Sequence, residues 1–369
     1  MSNLALYRKY RPQNFSEVLG QDHVIKVLED SIEKNKISHA YLFVGSRGTG
    51  KTSVARILAK QLQISQNDTY EIDAASNRGI EDMKSLRENI NFLPLDSKYK
   101  IYIIDEVHML SKDAWGALLK TLEEPPRHVI FVLITTELQK VPETIISRCQ
   151  VFTFKKPLDL ILKNRILDLA KKENFELDNE SAELIAILGD GSFRDAEGVL
   201  QKVLNFFQIQ ELDAENLSAE PSGKKKTLQQ TQKKITKKEI EEITGAPKNI
   251  LVNNFLSAIV ENKLNEGILT IQKTVSENLD MKLYLKLIIQ KLRYAIILKY
   301  APNLENECTN ISQEDLNFIK SLIKEDKTAK LRSPTLLILL EAYQNIENAF
   351  IAELPLELAL IQILEQDKK

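Results

Sequence analysis

A short stretch of the chain has the residue types and spacing of a phosphate-binding loop. Residues 45–52 read Gly-Ser-Arg-Gly-Thr-Gly-Lys-Thr, after the apolar run 41–44 and before residues 53–59, whose apolar positions have helical spacing. A strand, a glycine-rich loop and a helix start thus follow one another in the order of a P-loop. The glycines let backbone N–H groups converge on an anion, and the helix N-terminus adds partial positive charge. The stretch therefore predicts a nucleotide-phosphate site made by Gly45, Ser46, Arg47, Gly48, Thr49, Gly50, Lys51, Thr52 and Ser53.

Two acidic residues supply the second half of this site. Asp105 and Glu106 follow the apolar run 101–104, which predicts a strand buried on both faces of a parallel sheet. Ligands of open α/β sheets lie at the carboxyl ends of strands, so both carboxylates are expected beside the phosphates. Lys51 is then placed to reach the β- and γ-phosphates, and Thr52 with Asp105 to hold Mg²⁺. Glu106 is placed to activate a water. Without the P-loop the acidic pair would be interpreted as a solvated turn; beside it, the pair predicts nucleotide hydrolysis.

Two arginines have positions that suit a γ-phosphate. Arg148 follows a short predicted helix that starts at Pro142, and Arg194 lies in the first turn of a helix with Ser192 as its N-cap. An arginine near a helix N-terminus opposes the helix dipole, so a local stabilising role for Arg194 is not expected. A guanidinium suits the charge that spreads over the phosphoryl oxygens during transfer. Taken singly, each arginine would more often form a surface ion pair; the neighbouring motifs favour a role at the nucleotide.

With these motifs the chain resembles the AAA+ ATPases and, more narrowly, the gamma/tau motor subunits of the bacterial DNA polymerase III clamp loader. The matching residues run almost unbroken over 6–201 and include, besides the P-loop, the segments 7–12, 18–21, 71–77, 105–110 and 118–126. Single motifs are shared with other AAA+ proteins, but the set in this order is specific.

The resemblance assigns further residues to the site. It implies that Thr136 is the sensor 1 residue and that Arg194 is the sensor 2 residue. It also implies that Arg148 reaches into a neighbouring subunit's site. Arg11 and Val18 would line the adenine pocket.

The resemblance also implies a function, that of an ATP-hydrolysing motor subunit that uses ATP and Mg²⁺ to load a ring-shaped sliding clamp onto primed DNA. The expected partners are the other clamp-loader subunits in a pentameric ring, the sliding clamp and primed DNA. Two alternatives remain. A Holliday-junction motor would share the P-loop and sensors but carry a winged DNA-binding domain where this chain has helical segments. A non-catalytic loader subunit would have lost its P-loop residues.

The chain departs from this family after the P-loop helix. Family members usually carry a four-cysteine zinc module there, whereas residues 60–70 contain no cysteine. The chain has 2 Cys, Cys149 and Cys308, so a four-cysteine site cannot form. No zinc site is therefore expected. Four histidines are scattered without metal-ligand spacing, and the one beside the acidic pair is assigned a packing role: His23, His39, His108 and His128.

The composition predicts a core-forming cytoplasmic protein with no membrane partner. Hydrophobic residues make up 43% and charged residues 28% of the 369 residues. The N-terminus lacks a hydrophobic signal region, no apolar run approaches the length of a membrane span, and the few cysteines suit a reducing compartment. The net charge is −2, so any DNA contact must use local basic positions.

Strand and helix signals divide the chain into four parts. Residues 1–157 alternate the two signals, which predicts an α/β P-loop AAA+ domain with a parallel five-stranded sheet, its strands at 41–44, 70–73, 101–105, 129–135 and 151–154. Residues 158–207 predict an all-helical lid, 208–234 a polar linker and 235–369 an all-helical C-terminal domain. By resemblance the last domain is the collar that joins clamp-loader subunits. If residue 369 is the natural end, the protein resembles the short gamma form.

Each of two basic segments has two interpretations, one of which is contact with DNA. The lysines at 224–226 lie in the polar linker and are interpreted as part of a solvated loop, with contact to DNA phosphates as the alternative. Asn77, Arg78 and Gly79 are expected to start one helix, and Ser111 and Lys112 another, each after a strand end. Helix N-termini with a basic side chain suit template phosphates. Ordinary capping by Asn77 and Ser111 explains the same residues equally well.

Overall fold

The chain divides into two compact units. The computed structural model describes residues 4–76, 89–217, 233–303 and 313–365. The first unit consists of Met1–Arg165 and Gly189–Gln201, and the second of Ile166–Leu188 and Lys202–Lys369. The division passes through two helices, α6 (Asp159–Lys172) and α8 (Phe193–Leu217), which are separated by α7 (Asn179–Leu188).

A five-stranded parallel sheet forms the centre of the first unit. Its order is β2-β3-β4-β1-β5, with β1 at Ala40–Val44, β2 at Thr69–Asp73, β3 at Lys100–Asp105, β4 at Val129–Thr135 and β5 at Gln150–Thr153. Every residue of β1 and β4 is buried, as expected for strands covered on both faces. The strands lie within one residue of their predicted bounds, which confirms the predicted sheet. The carboxyl ends of β1, β3 and β4 meet at one edge.

Helices cover both faces of this sheet: α2 (Asp22–Glu33), α3 (Lys51–Gln61), α4 (Lys112–Glu123) and α5 (Glu143–Ile146). A short helix, α1 (Leu6–Lys9), precedes them in the chain. Successive residues of a strand point to opposite faces. Leu42 of β1 accordingly belongs to a core with Trp115 of α4, whereas Phe43 belongs to the opposite core with Leu58 of α3. The two cores fix α3 and α4 against the sheet, and with them the loops that enter both helices.

Helices make up most of the second unit. After α7 these are α9 (Lys237–Thr244), α10 (Asn249–Val260), α11 (Leu264–Ser276), α12 (Met281–Tyr300), α13 (Gln313–Glu325), α14 (Ser333–Ile346) and α15 (Leu354–Glu365). Their core is built around Phe255, Tyr284 and Leu339, each fully buried. Within the described ranges, none of the helices has the length and apolar character of a membrane span.

The lid and the linker differ in two details from the sequence prediction. A two-stranded parallel sheet pairs β6 (Phe175–Leu177) with β7 (Lys233–Ile235), so the predicted lid is not entirely helical. A run of 3 residues cannot be told from a helical turn by its periodicity. In addition, α8 continues to Leu217, into the predicted linker, because that segment is polar but rich in good helix formers. Residues 218–232, with the lysine run, lie outside the described residues.

A buried ion pair ties two helices of the second unit together. Lys291 Nζ of α12 lies 2.5 Å from Asp315 Oδ1 of α13, and it also donates to Asn249 and Asn253 of α10. Burial by itself would raise the pKa of Asp315, but the ammonium groups of Lys291 and Lys237 outweigh it and lower that pKa to about 2. The carboxylate is therefore the form that the folded protein favours.

Replacing Lys291 with methionine is expected to lower the free energy of unfolding of the second unit by about 1.5–3 kcal/mol, because the buried Asp315 carboxylate loses its nearest ammonium and keeps Lys237, at 3.4 Å, and the Asn249 amide. The double variant Lys291→Met/Asp315→Leu should recover most of the loss. Since the folded pKa of Asp315 lies below its ordinary value of 3.8, its contribution is full above that pH and is lost as the pH falls toward about 2. Urea unfolding followed by circular dichroism measures the change. The single tryptophan, Trp115, reports the first unit as an internal control; an equal loss there would contradict the prediction.

Candidate nucleotide site

The glycines of the loop between β1 and α3 have backbone conformations that other residues disfavour. Gly50, with φ of 100°, immediately precedes α3, and Gly48 has φ of 73°. A Cβ atom built on Gly48 would lie 1.9 Å from Ser192 Oγ, so only glycine fits there. The amide of Phe193 donates to the Gly48 carbonyl at 3.0 Å. The loop is therefore held directly against the start of α8.

Lys51 is the first residue of α3, and its ammonium is buried in the loop. It is 6% exposed, and Nζ donates to the carbonyls of Gly45 and Ser46 at 2.7 Å each. Burial lowers the pKa of Lys51, while the carboxylates of Glu106 and Asp105 act in the opposite direction. The ammonium thus lies close to the two acidic residues at the end of β3.

The hydroxyl of Thr52 donates to Asp105 Oδ2 at 2.8 Å. This contact joins the first turn of α3 to the last residue of β3, which are 53 positions apart in the sequence. A hydroxyl and a carboxylate side by side are oxygen ligands of the kind that Mg²⁺ takes in nucleotide sites. The residues present therefore fit a magnesium ion that is shared with phosphates.

Glu106 has an unusual backbone conformation. Its φ is 50°, in the left-handed region that costs a non-glycine residue about 1–3 kcal/mol. Its amide donates to Asp105 Oδ1 at 3.0 Å, and its carbonyl accepts from Met109 at 2.9 Å. The hydroxyl of Thr136, just after β4, donates to Glu106 Oε2 at 3.1 Å. The strain and the hydrogen bonds hold this carboxylate at the carboxyl edge of the sheet.

A cleft in the first unit collects most of the predicted site residues. Its lining contains Arg11, Val18, Arg47, Gly48, Thr49, Gly50, Lys51, Thr52, Ser53, Asp105, Glu106 and Arg194. Gly45, Ser46 and Thr136 contact this lining through the hydrogen bonds of Lys51 and Glu106. Ser192 caps α8 by accepting from the amide of Asp195 at 3.2 Å, as the sequence predicts. The Arg194 guanidinium lies over the ring of Tyr7, 5.5 Å from its centre, and a cation is attracted to such a ring face.

A buried ion pair supports the N-terminal side of the cleft. Arg165 Nε donates to Glu197 Oε1 at 2.9 Å, and the two side chains are 15% and 6% exposed. Burial raises the pKa of Glu197, and Arg165 acts against that rise. A second nitrogen of Arg165 donates to the Tyr10 carbonyl at 2.6 Å. The pair therefore anchors the segment that contributes Arg11 to the lining.

Arg148 does not line the cleft. It donates to Glu123 Oε1 and to the Thr144 carbonyl, each at 2.8 Å, with 35% of its side chain exposed. Ser111 caps α4 by accepting from the amide of Ala114 at 3.2 Å, next to Lys112. Asn77, Arg78 and Gly79 lie outside the described residues.

The sequence did not predict a role at the site for four residues: His108, Glu137, Arg165 and Glu197. The ring of His108 contacts Glu106 and Glu137, each at 3.3 Å, so its surroundings are polar as well as packed. Arg165 and Glu197 lie 32 positions apart, on two helices whose packing the sequence pattern does not give. Only the position of His108, two residues after the acidic pair, carried a signal.

Within the described residues, no group of three or more His, Cys, Asp or Glu side chains is arranged to hold a metal ion. Cys149 lies within those residues and Cys308 lies outside them.

Sequence comparison relates the chain to replication proteins. A family model described as DNA polymerase III, delta subunit, matches residues 20–78 and 68–158. The DNA polymerase III subunit tau of Bacillus subtilis (strain 168) is 35% identical over 336 residues, 85% of this chain and 55% of that protein. The DNA polymerase III subunit gamma/tau of Mycoplasma genitalium is 32% identical over 383 residues, 96% of this chain and 60% of that protein. The chain thus spans little more than half the length of these relatives.

Structure comparison relates the fold to a motor protein. The Thermotoga maritima RuvB Holliday junction branch migration motor matches with a TM-score of 0.51 and 20% identity, over 73% of this chain and 86% of that chain. At this identity the likeness shows the fold alone. It agrees with the predicted α/β P-loop architecture followed by helices.

Proposed function

The chain belongs to the family of gamma and tau subunits of bacterial DNA polymerase III, and on this basis we propose that it is an ATP-hydrolysing motor subunit of a clamp loader. Its partners are the other loader subunits in a pentameric ring, a sliding clamp and primed DNA, and it works in the cytoplasm. Two hydrogen bonds beside the P-loop carry the proposal. The first joins Thr52 to Asp105, and the second joins Thr136 to Glu106. A nucleotide-binding subunit without hydrolysis would need the first contact but not the second.

In this proposal the loop between β1 and α3 binds the triphosphate. Lys51 exchanges its bonds to the loop carbonyls for the β- and γ-phosphates. Thr52 and Asp105, which lie side by side, would hold Mg²⁺. When bound, the ion neutralises and orients the phosphates. Lys51 lies close to Thr52 and Asp105, so one phosphate group could contact the lysine and the ion together.

Glu106 orients and activates the attacking water, and Thr136 positions the γ-phosphate side of the site. The hydrogen bond of 3.1 Å between their side chains supports a shared task. Arg194 contacts the γ-phosphate from the start of α8, because the same helix start lies against Gly48 of the loop. Leaving the Tyr7 ring frees the guanidinium for this contact.

The adenine lies against Arg11 and Val18, which share the cleft lining with Gly48. Arg165 holds the backbone of this segment through the Tyr10 carbonyl. Arg148 acts on a neighbouring subunit's nucleotide. Its absence from the lining of its own cleft supports that assignment.

The fold likeness to a Holliday-junction motor does not favour that function here. The relatives at 32–35% identity are replication subunits, and the described part of the second unit is mostly packed helices where such a motor is expected to carry a winged domain. A non-catalytic scaffold subunit is disfavoured because Lys51, Thr52, Asp105 and Glu106 are all present.

The proposal includes DNA contact at the start of α4. Lys112 is exposed at this helix N-terminus, which suits a phosphate. The capping bond from Ser111 accounts for the local sequence without DNA. The two roles are compatible, because the cap uses a hydroxyl and the phosphate would use the lysine and backbone amides.

A rate measurement tests the function as a whole. The full chain, assembled with its loader partners, should release phosphate from ATP, and the rate should rise when clamp and primed DNA are added together. The variant Lys51→Ala in the same assembly should bind ATP weakly and show no stimulation, because the triphosphate loses its buried cation. Stimulation by branched DNA without clamp would favour the Holliday-junction motor. Equal low rates for both chains would favour the scaffold.

A further inference from the structure

The imidazole of His108 lies between two carboxylates at the edge of the site. Nδ1 is 3.3 Å from Glu106 Oε2 and 3.1 Å from Thr135 Oγ1. Nε2 is 3.3 Å from Glu137 Oε1. The side chain is 7% exposed, so packing fixes the plane of the ring. The ring therefore connects the residue that follows β3 with the residues at the end of β4.

Two side chains contact the same oxygen of Glu106. The Thr136 hydroxyl donates to Oε2 at 3.1 Å, and His108 Nδ1 approaches Oε2 at 3.3 Å. The second oxygen, Oε1, is then the one left for a water. A carboxylate that is held at one oxygen presents the other in a defined direction.

The backbone of Glu106 is already fixed, so its side-chain torsions are the freedom that remains. Its φ of 50° and its hydrogen bonds to Asp105 and Met109 determine the position of its Cα atom. A glutamate side chain has three torsions: the first two rotate between staggered positions, and the third, at the carboxylate, rotates broadly. The contacts of His108 and Thr136 select one arrangement.

His108 is itself held from the far side. Glu137 bonds to Lys140 Nζ at 2.8–2.9 Å, and its amide donates to Thr135 Oγ1 at 3.0 Å. The hydrogen bond from Lys140, together with the nearby His108, keeps the pKa of Glu137 below its ordinary value. Glu137 is therefore a carboxylate that lies against the Nε2 side of the ring. Lys140 is more than half exposed, so this series of contacts begins at the surface.

We propose that His108 is a positioning residue for ATP hydrolysis, because its packed ring lies between the carboxylates of Glu106 and Glu137 and limits where Glu106 Oε2 can lie. The proposal rests on the proposed function, because it assigns Glu106 the task of activating water. It does not assign the ring a proton-transfer step. It predicts a loss in the chemical step and not in ATP binding, since His108 contacts no residue of the P-loop.

Three substitutions separate positioning from packing, measured as kcat and as the equilibrium Kd for ATP in the assembled loader. His108→Leu should lower kcat about 10–100-fold, the loss expected when one polar contact to a charged group is removed, with Kd unchanged. His108→Asn places an amide nitrogen near the position of Nδ1 and should restore most of kcat. Glu137→Gln should lower kcat in the wild-type chain and have little effect in the His108→Leu chain, because the two act in one series. Lys34→Ala, which removes an exposed ion pair with Asp30 of α2, is the surface control and should change kcat little.

A second readout does not depend on hydrolysis. With only 4 His in the chain, the ring ¹⁵N signals of His108 can be assigned by substitution. Glu106→Gln should shift the Nδ1 signal, and Glu137→Gln the Nε2 signal. A normal kcat in His108→Leu, an Asn variant as slow as the Leu variant, or an ATP Kd that weakens in step with kcat would each overturn the proposal. If the wild-type loader hydrolyses no more ATP than Glu106→Gln, the proposed function fails instead, and an unmoved Nδ1 signal would then still refute the contact.

Discussion

Replacing Arg148 with alanine is expected to lower the clamp- and DNA-stimulated ATPase rate of the assembled loader by about 10³–10⁵-fold, the value of an arginine that stabilises a transferring phosphoryl group. ATP binding should stay near the wild-type level, because Arg148 does not line the cleft of its own chain. Phosphate release and equilibrium ATP binding, measured on the same assembly, check both parts. Equal losses in rate and binding would place the arginine in its own site and contradict the assignment.

The ion pair between Arg148 and Glu123 provides the matched control. The bond is 2.8 Å long, and the side chains are 35% and 50% exposed. An exposed pair of this kind contributes about 0–1 kcal/mol to stability, so its loss should hardly affect the fold. Glu123→Ala removes the pair and keeps the guanidinium, and it should retain most of the stimulated rate. If Glu123→Ala were as slow as Arg148→Ala, the effect would come from the ion pair and not from contact with a phosphate.

The sheet and the P-loop were predictable because both are local features of the sequence. Strands buried on two faces are continuous apolar runs, as in 129–135, and the loop glycines have fixed spacing. In a parallel sheet these two features place Asp105 beside Thr52, as the structure shows. The capping of α8 by Ser192 was predictable for the same reason, since a cap involves neighbours in the chain.

The parts that could not be predicted depend on contacts between distant segments. β6 and β7 pair although α7 and α8 lie between them in the sequence. Each strand has 3 residues, which is too short for a recognisable strand pattern. The bond between Arg165 and Glu197 joins two helices, and periodicity gives neither their rotation nor their register. The left-handed φ of Glu106 is likewise invisible in the sequence, because glutamate has no preference for it. Such strain persists only where the surrounding structure over-determines it, which is common at functional sites.

Glu106→Gln should abolish hydrolysis while leaving ATP binding intact. Glutamine has the same length, and its amide oxygen can still accept from the Thr136 hydroxyl, so the local structure should be kept. An amide is not a base, and loss of general-base assistance lowers a rate about 10²–10⁴-fold. The loader should then hold clamp and primed DNA in its ATP-bound form without releasing them. Single-turnover phosphate release and clamp retention on primed DNA measure the two effects. Asp105→Asn is the contrasting variant and should weaken Mg²⁺-dependent binding itself.

A mixture of the two variants decides between an arginine that acts in its own subunit and one that acts across a subunit boundary. An Arg148→Ala chain keeps its Glu106, and a Glu106→Gln chain keeps its Arg148. If Arg148 completes a neighbour's site, some boundaries in a mixed ring join an intact Glu106 to an intact Arg148. Mixed loaders should then recover a rate that neither variant has alone. If Arg148 acted within its own chain, each site in every mixture would lack one of the two groups, and no ratio of the variants would restore hydrolysis. Recovery at intermediate ratios would therefore support both residue roles in one measurement.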